Sequence, residues 1–139
     1  MKKFVYFVFS SLLFAPLPAQ AASVDLLAQM PVLPPPLLIV TPVNQRVSVQ
    51  VINETGAAID YEVIRDTQYR SLGGNSQITL RTLSTPTTLT FRRQDGGLLQ
   101  ASLRSTTAGL LELRLSATTD FSRDRTTLTI DETGGVFLN

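Results

Sequence analysis

The stretch from Val47 to Ile64 reads VSVQVINETGAAIDYEVI, and its alternation of apolar and polar residues decides the fold class. Apolar residues occupy every second position in two runs, Val47–Val51 and Ile59–Val63. Because successive side chains of a strand point to opposite faces, each run predicts a β-strand with one face in a core. The intervening Asn53-Glu-Thr-Gly56 has the composition of a turn. The stretch therefore predicts two strands joined by a turn.

The same alternation continues to the end of the chain. It recurs at Ile78–Leu80, Leu111–Leu115, Leu128–Ile130 and Val136–Leu138, with turn residues between the runs. Short strands separated by turns every 8 to 12 residues or so are typical of sandwiches and barrels. We therefore predict an all-β domain, a single antiparallel β-sandwich of the immunoglobulin-like type with about seven to eight strands.

Residues 88–104 give the sharpest local prediction, a β-hairpin with Asp95-Gly96-Gly97 as its loop. With these three residues in the loop, apolar side chains face each other across the hairpin, Phe91 opposite Ala101 and Leu89 opposite Leu103. A register in which every pair agrees in polarity is the one expected for two strands that share a buried face. Gly97 is expected to adopt the left-handed conformation on which such a loop ends.

The N-terminus has the three parts of a secretory signal peptide. Met1-Lys2-Lys3 is basic, Phe4–Ala15 is apolar, and Ala19-Gln20-Ala21 offers small residues at the cleavage position. We predict a signal peptide over residues 1–21, cleaved after Ala21, and a periplasmic or secreted protein. A membrane anchor is the alternative, but the apolar run of about 12 residues is shorter than the roughly 20 that span a bilayer. No integral membrane span is therefore expected after leader cleavage.

A proline-rich segment, residues 22–44, separates the leader from the predicted domain at 45–139. Its prolines disfavour helix and favour an extended chain. One interpretation is a linker that holds the domain off a surface. The other notes that Leu37–Val40 is apolar enough to pack as an edge strand, on this domain or on a neighbouring copy.

The composition excludes several classes of chemistry. The chain has no cysteine, histidine or tryptophan, which excludes disulfides, metal sites built on Cys or His, and His-dependent catalytic triads. Both lysines, Lys2 and Lys3, lie in the leader, so the rest of the chain has ten arginines against eleven acidic residues. No basic excess favours nucleic acid. We expect no cofactor, no metal ion, no catalytic residue and no nucleic-acid partner.

Carboxylates are the remaining acid–base groups. Asp60 and Glu62, at i and i+2 on one strand face, are near enough for a glycosidase-like pair, but a convex wet face has no apolar pocket to raise a pKa. Asp120 and Asp124 offer oxygen ligands for calcium, but their loop lacks the glycine and the Asp/Asn alternation of a calcium loop. Solvated surface charge is the simpler interpretation. A carboxylate-based hydrolase is the exception to a non-enzymatic domain.

Arginines recur at outward positions of separate predicted strands: Arg81, Arg92, Arg104 and Arg114. If these strands share a sheet, the face could hold sugars or acidic polymers, because the guanidinium fork makes bidentate contacts with carboxylate or sulfate. Tyr69, in a predicted loop, is the best exposed aromatic residue for such a site. The alternative is ordinary cross-strand pairing on the surface, with Tyr69 lying flat over a sheet edge.

Two further motifs have plain explanations. The Thr-x-Thr pairs, Thr88/Thr90 and Thr127/Thr129, resemble threonine arrays on ice-binding faces, but the β propensity of threonine accounts for them. Asn53-Glu54-Thr55 fits the N-glycosylation pattern, but the leader is of bacterial type and the motif is frequent by chance.

The strand–turn–strand of Val49–Ile64, together with Thr88–Gly97 and the ending Gly135–Asn139, resembles small secreted cyanobacterial β-sandwich proteins of unknown function. The resemblance covers roughly Val47 to Asn139. It implies the sandwich fold and export, and it implies no catalytic residue.

Three functions follow as hypotheses. The first is a non-enzymatic module at the cell envelope that binds polysaccharide or a protein ligand. The second is an assembly subunit joined to another chain by strand addition through Leu37–Val40. The third is the hydrolase using Asp60 and Glu62. The sequence does not define the oligomeric state.

Overall fold

The computed structural model describes residues 13–16 and 31–139. The chain divides after residue 33, and the second unit, residues 34–139, is the β domain. Apart from residues 13–16, the predicted signal peptide and its cleavage site after Ala21 lie outside the described residues, as do residues 22–30 of the predicted linker. In the described ranges, no helix is long and apolar enough to cross a bilayer.

Residues 31–139 form ten strands and one short 3₁₀ helix, Phe121–Arg123, without an α-helix. The strands are β1 Leu38–Ile39, β2 Arg46–Asn53, β3 Ile59–Val63, β4 Arg70–Leu72, β5 Ser76–Ser84, β6 Thr87–Arg93, β7 Leu98–Thr107, β8 Leu110–Thr118, β9 Thr127–Ile130 and β10 Gly135–Leu138. The predicted all-β class is confirmed. The predicted number of strands is too low, because the short β1 and β4 carry too few residues to show an alternation.

The strands build two sheets. One has six strands in the order β1-β10-β9-β6-β3-β4, and the other has four in the order β5-β2-β8-β7. Neighbours are antiparallel with one exception: β2 and β8 run parallel, with Gln50 opposite Glu112. The prediction of an antiparallel domain is therefore correct for the six-stranded sheet and wrong for the four-stranded one. Apolar alternation has the same form in both directions, so it does not report strand direction.

One hydrophobic core takes side chains from both sheets. Val47, Val49 and Val51 of β2 are buried in it, as the alternation predicts, and so are Tyr61 and Phe91 from the other sheet. Leucines fill much of the remaining volume: Leu80, Leu83, Leu89, Leu99, Leu111, Leu113, Leu115 and Leu128. Burying one such side chain contributes roughly 1.5–3 kcal/mol, so this shared core holds the two sheets together.

The predicted hairpin between residues 88 and 104 is wrong. β6 lies between β9 and β3 in the six-stranded sheet, whereas β7 pairs with β8 in the four-stranded sheet. Residues 95–97 thus carry the chain from one sheet to the other, with Gly96 at φ 77° and Gly97 outside the left-handed region. Polarity matching failed because other partners match equally well. Leu89, for example, faces Leu128 of β9.

The turn from one sheet to the other is held by Asp95. Its carboxylate accepts the Gly97 N–H at 3.0 Å and pairs with the Arg93 guanidinium at 2.6 Å. These contacts, the Gly97 bond foremost, lower the pKa of Asp95. A β-carbon on Gly97 would lie 2.5 Å from the Arg93 guanidinium, so the absence of a side chain there leaves room for the ion pair.

The apolar segment before the domain is an edge strand of the same chain. Leu38 and Ile39 pair with Val136 and Gly135 of β10, and the N–H of Val40 donates to the carbonyl of Gly134 at 2.9 Å. Val40 is fully buried. The compact unit begins at residue 34, so the last part of the segment predicted as a linker belongs to the domain.

The Asn53–Gly56 turn has a structural role. Asn53 and Thr55 are buried, with 1% and 3% of their surface exposed. The Asn53 amide donates to the carbonyls of Ala57 and Gly73 at 2.8 and 2.9 Å and accepts the hydroxyl of Thr55 at 2.7 Å. Because a glycan acceptor must reach the surface, this Asn-x-Thr motif is not a glycosylation site in the folded domain.

Candidate functional site

Arg92 and Tyr69 meet on the outer face of the six-stranded sheet. Arg92 occupies an outward position of β6, and Tyr69 immediately precedes β4. The guanidinium carbon of Arg92 lies 5.6 Å from the centroid of the Tyr69 ring, within cation–π distance. Tyr69 is 63% exposed. We call Asp60, Tyr69, Thr90, Arg92 and Thr127 the Tyr69 patch.

Asp60 is the third charged or aromatic group of this patch. It lies on β3 opposite Arg92, and its carboxylate is 3.7 Å from the Arg92 Nε. The Gln94 amide donates to Asp60 at 2.7 Å and to the Ser71 hydroxyl on β4 at 2.9 Å. The carboxylate is therefore held by Gln94, just after the end of β6, and Ser71 of β4 holds Gln94 in turn. Arg92 lies between an aromatic face and an anion, which limits the orientations of its guanidinium.

A depression of about 200 Å³ opens beside Arg92. Its walls come from the patch and from Phe91 and Thr126. The Thr90 hydroxyl at its side is buried and has no hydrogen-bond partner within the part of the chain that the structure describes. Polar groups out of water normally have partners, so this hydroxyl is an unsatisfied group beneath the surface of the depression.

The two Thr-x-Thr pairs of the sequence are neighbours in the sheet. Thr90 faces Thr127, and Thr88 faces Thr129 with 3.4 Å between the two hydroxyl oxygens. The four side chains extend the polar surface of the patch along β6 and β9. An array of this size covers only two residues on each of two strands.

The other three predicted arginines, Arg81, Arg104 and Arg114, lie on the four-stranded sheet. The predicted binding face required all four arginines on one sheet, and Arg92 does not meet that requirement. Arg81 is on β5 and Arg104 on β7, at opposite edges of this sheet. Three inter-strand steps of about 4.8 Å put their strands about 14 Å apart. The alternation of each strand predicts which side chains point outward. It does not predict the sheet to which the strand belongs, because it carries no information about the neighbouring strand.

Arg114 is neutralised by two carboxylates. Its guanidinium pairs with Glu112 at 2.6 Å and with Glu54 at 2.5 Å. The hydrogen bonds that Arg114 donates to these two partners, Glu54 first, raise the pKa of Arg114. A ligand anion would have to compete with both glutamates. Surface ion pairing, within β8 to Glu112 and across to Glu54 after the end of β2, describes this residue better than a binding role.

The acidic loop after β8 uses its carboxylates locally. Asp120 accepts the Ser122 hydroxyl and N–H at 2.6 and 2.9 Å, which lowers the pKa of Asp120. Asp124 accepts the N–H of Leu99 at 2.9 Å. Across residues 13–16 and 31–139, no group of three or more acidic residues is placed to hold a metal ion.

Sequence reasoning named Arg92 and Tyr69 separately and missed two of their neighbours, Gln94 and Thr127. The shared outward phase of Asp60, Thr90 and Thr127 was the available signal. This signal could not show that the three side chains are neighbours, because that depends on the pairing of β3 with β6 and of β6 with β9.

Comparisons with protein-family models, curated proteins and solved structures give no match for this chain. The resemblance to secreted cyanobacterial proteins stays a prediction, and the function is argued from the site alone.

Proposed function

We propose that this chain is an exported, non-enzymatic binding module with an immunoglobulin-like sandwich domain, and that the Tyr69 patch binds polysaccharide at the cell envelope. The observation that carries the proposal is the contact of the Arg92 guanidinium with the Tyr69 ring, 5.6 Å from its centroid, at the rim of a depression lined by threonines. It joins two residues that the sequence nominates independently.

The chemistry of the patch suits a sugar. An exposed aromatic ring offers a flat apolar surface to a pyranose ring, and the guanidinium, carboxylate and hydroxyl groups around it can bond sugar hydroxyls as donors and acceptors. The depression of about 200 Å³ is smaller than a drug-sized pocket, so a polymer would be held along its length rather than enclosed.

Strand addition through Leu37–Val40 is the less favoured function. The N–H groups of Leu37 and Val40 already donate to Val136 and Gly134 of the same chain, at 2.8 and 2.9 Å. A second copy would have to displace β1 from β10 or add to the outer edge of this two-residue strand. A sedimentation experiment that finds a monomeric protein would dispose of this function.

A hydrolase based on Asp60 and Glu62 is also less favoured. Asp60 is engaged by Arg92 and Gln94, and the depression beside it is open to solvent. Retention of any hydrolytic activity in Asp60→Ala with Glu62→Ala would eliminate this pair as its source.

A glycan array followed by calorimetry tests the proposal. Tyr69→Ala and Arg92→Ala should each weaken binding of the selected glycan at least about tenfold, equivalent to about 1.4 kcal/mol. Arg104→Ala is the matched control, because it removes the same side chain from the outer face of the other sheet and should leave the affinity unchanged.

All three substitutions are at exposed positions, so urea midpoints should stay close to that of the parent protein. An array without any signal, or full affinity in the Tyr69→Ala, Arg92→Ala double variant, would overturn the proposal.

A further inference from the structure

A second depression, of about 430 Å³, lies where the chain crosses from β8 to β9. Its polar walls are Gln100 and Ser102 of β7, Ser116 of β8, and two arginines of the crossing loop, Arg123 and Arg125. Leu37, Ala101 and Leu138 complete it with apolar surface. We call it the Arg123–Arg125 pocket. Sequence reasoning did not identify either arginine.

The lining of this pocket is cationic. It contains two guanidinium groups, one carboxamide and two hydroxyls, and none of its lining residues is an Asp or a Glu. This is notable in a domain whose residues 34–139 include ten acidic residues against ten arginines. A concave surface with one sign of charge attracts the opposite charge and strengthens its binding.

Arg125 is fixed in place by the loop itself. Its Nη1 donates to the carbonyls of Ser122 and Asp124 at 3.0 and 2.7 Å, and its own N–H donates to Leu99 O at 2.8 Å. Among the described residues, no carboxylate lies within 4.0 Å of its guanidinium. Its charge is thus held by neutral carbonyls and is not compensated by an ion pair.

The acidic residues of the loop compensate the pocket only in part. Asp120 lies 3.5 Å from the Nε of Arg123, but that arginine side chain is 69% exposed, and an exposed pair at this distance is weak. Asp124, between the two arginines in sequence, accepts the N–H of Leu99 and is not a lining residue.

The pocket adjoins the Tyr69 patch. Arg125 lines the pocket, and the next residue, Thr126, lines the depression of the patch. Consecutive Cα atoms are about 3.8 Å apart, so the two sites take lining residues from directly adjacent positions of the chain. A ligand longer than one sugar unit could contact both.

We propose that the Arg123–Arg125 pocket binds the carboxylate of an acidic sugar, which makes the ligand of the Tyr69 patch a uronic-acid polysaccharide. The planar guanidinium fork matches a planar carboxylate bidentately, and the apolar wall of Leu37, Ala101 and Leu138 suits the C–H surface of a sugar ring. This inference rests on the proposed function of the patch.

Oligogalacturonate and its methyl ester are the probes, because esterification removes the charge of the carboxyl groups and leaves the sugar rings unchanged. Calorimetry of the whole domain should show the acid form binding at least about tenfold tighter than the ester. Added salt should reduce this difference. Equal affinities for the two forms would overturn the proposal.

Variants test whether the preference for the acid form over the ester arises in the Arg123–Arg125 pocket. Arg123→Gln with Arg125→Gln should bring the two affinities together, whereas Arg81→Gln, on the far edge of the four-stranded sheet, should retain the difference. Arg125→Lys keeps the charge without the fork and should give an intermediate difference. Because Arg125 bonds two carbonyls, Arg123→Gln alone provides a variant with little risk to folding. Full selectivity in the double variant would contradict the proposal.

Failure of this inference is distinguishable from failure of the proposed function. Tyr69→Ala should weaken binding of the acid form and of the ester by the same factor.

If neither oligomer binds, free galacturonate is titrated into isotope-labelled protein and the shifts of the backbone amide signals are followed. Shifts confined to residues 100–102, 116 and 122–126 support the pocket without the patch, and their absence overturns it.

Discussion

Gly134 lies at the point where the turn between β9 and β10 contacts the segment after β1. Its φ is 90°, and a β-carbon there would lie 2.0 Å from the carbonyl oxygen of Val40. Its own carbonyl accepts the Val40 N–H. A residue with any side chain would therefore be strained and would also push Val40 away.

We expect Gly134→Ala to lower the free energy of unfolding by at least about 2 kcal/mol, since a left-handed backbone and a steric clash combine. Gly56→Ala is the matched control, because its β-carbon would meet nothing within 4 Å. That variant should stay within about 1 kcal/mol of the parent protein in urea unfolding. Equal stabilities of the two variants would contradict the tight approach at Gly134.

Asp131 holds the same turn through its carboxylate. It accepts the Thr133 hydroxyl at 2.7 Å and the Thr133 and Gly135 N–H groups at 2.8 Å each. These bonds, the Thr133 hydroxyl first, lower the pKa of Asp131 below the ordinary value of 3.8. The folded state therefore binds this proton less readily than the unfolded chain.

The stabilisation from Asp131 is fully present above the ordinary pKa and is lost as the pH falls through the lowered one. We expect the urea midpoint to change little through this group between neutral pH and about pH 5 and to fall below about pH 4. Asp131→Asn keeps an acceptor oxygen but cannot titrate. Its midpoint should fall less on acidification, and an unchanged acid dependence would remove Asp131 as a cause.

Among the elements, β1 is a two-residue strand, and its last residue and the residue that follows it have opposite environments. Val40, directly after it, is fully buried, whereas Ile39 is 63% exposed. Val40→Ala should cost about 2 kcal/mol of unfolding free energy because it leaves a cavity in the core. Ile39→Ala should cost less than about 0.5 kcal/mol. A similar loss for both would mean that this edge is not packed as described.

At the scale of the whole molecule, cross-linking can test whether β6 and β7 lie in different sheets rather than pairing with each other. The chain has no cysteine, so an introduced pair is unambiguous. Thr88→Cys with Thr129→Cys should oxidise readily to an intramolecular disulfide, because the two hydroxyls lie 3.4 Å apart on paired strands. The measurement is the mobility shift on non-reducing gels.

Thr90→Cys with Ser102→Cys is the opposing variant, since these residues would face each other in a β6–β7 hairpin. They belong to different sheets and should stay reduced under the same conditions. A disulfide in this pair, together with none between positions 88 and 129, would restore the hairpin.

What the sequence could predict is whatever depends on neighbours along the chain. Val49 and Leu113 are in the core because alternation is a local property, and the turn at Asn53 follows from its composition. The partners of Phe91 could not be predicted, because several strands offer the same apolar spacing. The contact of Tyr69 with Arg92 needs β3 to lie between β4 and β6, and the Arg123–Arg125 pocket needs the loop from β8 to β9. Both depend on pairings distant in sequence.

The parallel pairing of β2 with β8 also determines when the domain can form. β2 lies inside the four-stranded sheet, yet its parallel partner β8 is synthesised only after most strands of the other sheet. Gln50 of β2, for example, lies opposite Glu112 of β8. β1 pairs with β10, the last strand of all. Topologies dominated by such distant pairings fold slowly. A chain that lacks β10 has neither a finished edge nor a closed core, so it should stay unfolded until β10 has been synthesised. Such a delay would suit the export that we propose, because a polypeptide passes through a translocation channel unfolded.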